Sequence, residues 1–452
     1  MKKQRSRLYF FSILILLFLF PASFCISQDN AESNDFLKQF YGRKNIQNCN
    51  EQQTSGCLKY LLENKDCSQC NLQQTDLSRK KLESVDLQKA NLNGANLENT
   101  VLSESNLEES ILDLAVFKEA SLKKANLKKV KARNTDLSQT LLDEAILNGA
   151  DISNSNLSDA SLKKANLTSI SAQNASFTNA DLSEANLESA IFIEADFSNS
   201  VLNKVFAYKA DFSGADLTNS KLKSANLIGA QLVGAKLENA ELTEAKLTGA
   251  NFSNANLTNT DFTGSTLDKA VFRNTVLRGA NLKGADLANA DFTNANLTEI
   301  NLSGANLKNA LFEGANLRGA ILVGANLEGA NLQNGKLTGA NLEEANMKNV
   351  NLHKASIIGV NFKKAGMEGT DLSHSDPRQA TFVGARLIGA NLKNARLSGV
   401  NFSFADLTNA SLYSANIDKA IFSQTVLNST IWTDGSTCSN TSVGTCLPSI
   451  RQ

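Results

Sequence analysis

From Leu72 to Trp432, every fifth residue belongs to one series of 73 positions, and 69 of these are Leu, Phe, Ile, Met or Trp. Two residues before each, 63 of the 73 positions are Ala, Ser, Thr or Gly. The residue between them is usually Asn or Asp, as in Ala95-Asn96-Leu97 and Ala285-Asp286-Leu287. No insertion or deletion breaks the frame. A period of five is neither the 3.6 of a helix nor the 2 of a strand. A large and a small apolar residue two apart point to one side of a short extended piece, and the polar residues that follow turn the chain. Glycine placement agrees: 20 of the 26 Gly lie two residues after the large one, as in Gly94, Gly234 and Gly389. That is where a type II turn wants positive φ.

The number of units per coil is also readable. Phe252, Phe272, Phe292 and Phe312 recur every 20 residues, as do Phe362, Phe382, Phe402 and Phe422. On the outside, Glu104, Lys124, Glu144, Lys164, Glu184 and Lys204 alternate in sign at the same interval. Opposite charges on neighbouring strands are mildly favourable. Four units per coil therefore predict a square solenoid of about 18 coils, on the order of 85–90 Å long at roughly 4.8 Å per coil.

The run of A(D/N)Lxx units resembles the pentapeptide-repeat proteins and covers residues 70–432. The resemblance implies a right-handed quadrilateral β-helix. Cys67-Ser-Gln-Cys70-Asn-Leu resembles the start of exported members, and Ile431-Trp432-Thr-Asp-Gly-Ser436 a common terminal motif, with Thr433 where Pro is usual.

Departures from the pattern obey packing logic. Ala132, Ala172 and Ala207 occupy large sites, and each follows an enlarged small site, Val130, Ile170 or Val205. Volume-conserving swaps are tolerated best. Pro377 removes a ladder donor, so a local bulge or bend is expected there. Residues 366–378, with Gly366, His374 and Asp376, are the least regular stretch, where a structural irregularity or a binding notch is expected.

The ends read differently. Lys2, Lys3, Arg5 and Arg7 precede an apolar stretch from Leu8 to Phe20. This is shorter than the roughly 20 residues that span a bilayer, and residues 1–27 fit a cleaved secretory signal. Lipid attachment at Cys25, which would bring in the membrane, and an uncleaved anchor are the competing readings. Residues 28–69 form an N-terminal cap with a short helix over Gly56–Asn64, placing Leu58, Leu61 and Leu62 on the first coil. Residues 433–452 cap the other end, since solenoid ends need covering.

Export changes the cysteine arithmetic. Six remain after residue 27: Cys49, Cys57, Cys67, Cys70, Cys438 and Cys446. An even number in an oxidising compartment suggests disulfides, with Cys438 paired to Cys446. For the first four, a metal site built on Cys67 and Cys70 and free thiols are the alternatives.

Little catalytic chemistry is on offer. Two His in 452 residues leave no His-centred site, and His353 and His374 read as lone surface residues. The frame leaves no room for the long loops on which solenoid enzymes build sites. Carboxylate pairs such as Asp211 and Asp216 read as solvated edge rows. No cofactor or resident metal is expected. With 45 basic against 45 acidic residues, the chain lacks the basic face of a nucleic-acid binder. Lys123, Lys124, Lys128, Lys129, Lys131 and Arg133 form a belt around one coil, answered in part by Glu104, Asp143 and Glu144. The functional lead is apolar: Ile193, Tyr208, Ile228 and Val233 fall at outward positions and form a candidate interface, with Val383 and Ile388 a smaller pair.

The expected function is an exported, periplasmic or secreted scaffold that binds a protein or envelope partner, not an enzyme. The alternative follows cytosolic relatives that resemble duplex DNA and bind a type II topoisomerase. Loss of residues 1–27 leaves 41 basic against 45 acidic residues, a weak charge for such a mimic.

Overall fold

The computed structural model describes residues 54–447. The expectations for residues 1–27, Cys25 and Cys49 lie outside this range. From Asp66↔Asp86 to Ser411↔Ile431, parallel bridges join outward strand residues 20 positions apart at all steps but one. Four pentapeptides therefore close one coil, and residues 20 apart stack.

Each unit has an almost complete main-chain account. Around Leu97, Leu97 N–H donates to the Val116 carbonyl and Asn99 N–H to that of Lys118, both on the next coil. Thr100 N–H closes the turn onto Leu97, and Val101 N–H reaches back to Lys80. The fifth donor, on Glu98, is taken by the side chain of Asn96 at 3.1 Å. This Asx arrangement recurs along the rod, for example Ser183 on Asp181 and Lys393 on Asn391. It explains why Asn or Asp stands between the small and large residues: their Oδ1 satisfies a donor that the ladder cannot reach. The Asn amides then tie successive coils together, as from Asn326 to Asn306 and from Asn346 to Asn326.

Every fifth residue from Gln69 to Ser429 has positive φ. Most are Asn, Glu, Lys or Ser rather than Gly, so the turn geometry is imposed by the ladder against the left-handed preference cost of about 1–2 kcal/mol. Inside, the large and small residues are almost all buried, and the Phe columns stack. Phe252, Phe272, Phe292 and Phe312 lie at centroid distances of 5.0, 4.7 and 4.8 Å, nearly parallel. The Val130–Ala132, Ile170–Ala172 and Val205–Ala207 swaps are all interior.

Pro377 does not produce a bulge. The frame holds through Gln379, whose φ of 62° matches its equivalents. The cost is local: between Asp66 and Ile431, Asp376 to Arg396 is the one 20-residue step without a bridge.

Helix α1 (Thr54–Asn64) covers the first coil with Cys57 and Leu61, both buried. Leu62 is exposed instead, because it falls one residue past the inward stripe. Lys65, at positive φ, ends the helix by donating its N–H to Leu61. At the other end the chain folds back, pairing Val443 with Val426 and Thr437 with Ile431 in antiparallel sense.

Disulfides join Cys67 to Cys70 and Cys438 to Cys446. The first pair is thus a staple across the opening turn, not a metal site. Cys57 is also disulfide-bonded.

Candidate interaction site on one edge of the rod

The outward residues Ile193, Tyr208, Ile228 and Val233 are each half-buried, and they lie on two adjacent edges that flank one face of the solenoid. Ile228 stands directly over Tyr208, one coil on. Val233 lies across that face from Ile228 and is separated from Ile193 by Ser213. Two further residues complete the surface: Ile191 (37% exposed) and Phe206 (40%). The Phe206 ring lies 6.4 Å from that of Tyr208, and Lys209 Nζ sits 5.0 Å from the Tyr208 ring. A cation over an aromatic face is mildly favourable.

Ile191 and Phe206 occupy the position that in many units carries the capping Asn or Asp, as Leu141, Ile146, Leu311 and Ile321 do on other coils. As a result, the N–H groups of Ile193 and Tyr208 have no acceptor within the described residues. This surface therefore gives up two caps and exposes apolar side chains at the same place. Glu188, Glu194 and Asp211 line its rim by register. Val383 and Ile388 are half-buried too and stand in the same relation as Ile228 and Val233, but with Arg386 between them.

The remaining candidates serve the fold. Asp211 and Asp216 cap the N–H groups of Ser213 and Thr218. Burial raises the Asp216 pKa, but the Thr218 hydrogen bonds and Lys236 outweigh it, so the carboxyl titrates below its ordinary range. In the lysine belt, Lys123 and Lys124 pair with Asp143 and Glu144, and Lys128 and Lys129 with Glu108 and Glu109. Arg133 pairs with Asp113 at 2.8 Å and with Asp151 at 3.8 Å. Glu104 is not among the partners. In the alternating column, Lys124 meets Glu144 and Lys164 meets Glu184, at 3.9 and 3.8 Å. Each lysine leans toward one neighbour only, so Glu144 and Lys164 form no ion pair.

His353 and His374 are not lone residues. Their rings meet edge to face at 5.4 Å.

Family profiles described as pentapeptide repeats match nine segments between residues 66 and 424, and one described as a pentapeptide repeat region matches 245–322. The chain belongs to the pentapeptide-repeat family. Members of this family form right-handed quadrilateral β-helices and are generally structural or binding modules. Among solved structures, the chain is similar to HetL, a pentapeptide-repeat protein involved in heterocyst differentiation regulation in the cyanobacterium Nostoc. Identity is 28% over 59% of this chain and 92% of that one, with a TM-score of 0.21. A pentapeptide-repeat protein of the Arabidopsis thaliana thylakoid lumen is 42% identical over 21% of this chain and 66% of its own, with a TM-score of 0.21. QnrB1, a plasmid-mediated fluoroquinolone resistance protein, is 19% identical over 43% of this chain and 88% of its own, with a TM-score of 0.24. No match was found among curated proteins.

Proposed function

We propose that this pentapeptide-repeat protein is an exported, non-enzymatic solenoid of about 18 coils that acts as a protein-binding scaffold in a bacterial envelope. One observation carries the binding reading. Around Phe206 and Tyr208, six apolar residues replace the polar exterior of the repeat and leave two main-chain donors uncapped. Such surface is unfavourable in water and becomes favourable when a partner covers it. Export is supported by the character of residues 1–27 and by disulfides at both ends of the rod.

The test has two arms. Cell fractionation with N-terminal sequencing should recover a chain that begins after Ser27 outside the cytosol; intact chain confined to the cytosol would overturn export. Envelope extract passed over the immobilised rod should yield a partner that the Phe206→Asp, Tyr208→Asp double variant fails to retain at an unchanged unfolding midpoint. Equal retention would overturn the docking edge. Inhibition of a type II topoisomerase in a supercoiling assay would favour the DNA-mimic alternative.

A further inference from the structure

The chain has two histidines, and the coil register brings them together at residues 353 and 374. His353 lies 20 positions below Ser373, and its Nδ1 is 2.8 Å from the Ser373 hydroxyl. His374 turns its Nε2 to the Asn394 amide at 3.4 Å. The other ring nitrogens, Nε2 of His353 and Nδ1 of His374, have no hydrogen-bond partner among the described residues.

Cations surround this pair. Lys354 follows His353 at the corner, Lys393 stacks one coil above Ser373, and Arg396 lies on the adjoining face. All three are exposed, and none has an ion-pair partner among the described residues. The two nearby carboxylates are already committed. Asp371 accepts from Ser373 N–H and from the Asn391 amide, each at 2.9 Å. Asp376 is gripped by both ends of the Arg378 guanidinium at 2.7 and 2.8 Å. Hydrogen bonding to Arg378 holds the Asp376 carboxyl below its ordinary range, with a further contribution from Arg396. The one step of the ladder without a bridge, Asp376 to Arg396, runs beside the cluster.

We propose that His353, Lys354, His374, Lys393 and Arg396 form a binding site for a phosphate-class oxyanion. Two imidazoles with ring nitrogens free of partners and three cations without an ion pair, within three successive coils, match the several acceptor oxygens and multiple charge of such a group. The anion would supply the missing counter-charge. In the lysine belt, by contrast, acidic side chains supply it to Lys123, Lys124, Lys128 and Lys129.

Because no other histidine exists, imidazole NMR signals report on this site alone. Inorganic pyrophosphate is titrated as the free probe. Phosphatidylcholine vesicles with and without phosphatidylglycerol test a lipid source of the same chemistry. The expected result is a saturable shift of both imidazole signals with pyrophosphate, or their broadening with the anionic vesicles only. Affinity should fall at least about tenfold in Lys393→Ala, Arg396→Ala. The charge-preserving Lys393→Arg, Arg396→Lys should retain it, as should Lys223→Ala on a distant coil. Response to pyrophosphate alone assigns a soluble ligand, and response to vesicles alone a membrane one. Unmoved imidazole signals in both arms, or equal loss in Lys223→Ala, would overturn the site.

Discussion

Phe292 offers the sharpest test of how the interior is held together. Its ring is fully buried between Phe272 and Phe312, with centroids 4.7 and 4.8 Å away and planes tilted by 3° and 6°. Phe292→Ala removes the filling of one coil and both ring contacts. Phe→Ala in a core costs about 3–5 kcal/mol, and each lost aromatic pair contributes about 0.5–1.5 kcal/mol within that total. The upper half of the range is expected, because neighbouring coils are fixed by the ladder and cannot collapse into the hole. The matched control is Thr298→Ala, whose hydroxyl has no bond in the fold, with an expected cost under about 0.5 kcal/mol. Thr293 is a poorer control, since its hydroxyl donates to the largely buried Asp291 at 2.6 Å. Urea unfolding followed by circular dichroism gives the difference. Hydrogen exchange should show amide protection lost first around residues 272–312, as expected where each coil contacts only its neighbours. If Phe292→Ala and Thr298→Ala unfold at the same urea concentration, the Phe columns do not stabilise the rod.

Three further outcomes follow. Burial alone would raise the Asp181 and Asp291 carboxyls, but hydrogen bonds from Ser183 and Thr293 and the cations Lys163 and Arg273 lower them on balance. A depressed folded pKa contributes stability above the unfolded value near 3.9, so urea midpoints should hold from neutral pH to about 5 and fall below about 4. Asp291→Asn should flatten part of that fall. Reducing Cys438–Cys446 should loosen the fold-back and red-shift the emission of Trp432, the sole tryptophan, which packs 5.4 Å from Phe422. Glu144→Cys with Lys164→Cys should crosslink readily, whereas Glu144→Cys with Ser169→Cys, one face further on, should not; preference for the second pair would contradict four units per coil.

Most of the fold was legible because one short rule repeats without a slip. Coil size followed from Phe and charge columns, and the turn conformation followed from where glycine falls. The reason for the Asn or Asp was not legible, since a bond from Oδ1 to a main-chain donor two residues on leaves no trace in periodicity. The same gap hid a third of the apolar surface. Ile193 and Tyr208 read as outward from their turn positions, whereas Ile191 and Phe206 stand in the capping column, which the turn positions do not address. The histidine pair was within reach of register arithmetic: residues 21 apart sit on adjacent coils, one step around the turn. Reading each histidine singly missed it. Three leucines on one short helix do not say that Leu62 is the one facing outward.

The 20-residue closure makes the rod a ruler with a phase. Tyr208 and His353 lie about seven coils apart, roughly 35 Å, on adjacent edges that flank one shared face. Inserting 20 residues between them would lengthen that separation by one rung and leave both edges facing as before. Inserting five would hardly change the distance, yet would swing everything beyond it by a quarter turn. Spacing and bearing are therefore set by separate edits of the same sequence, and a partner that engages both edges would tolerate the first change far better than the second.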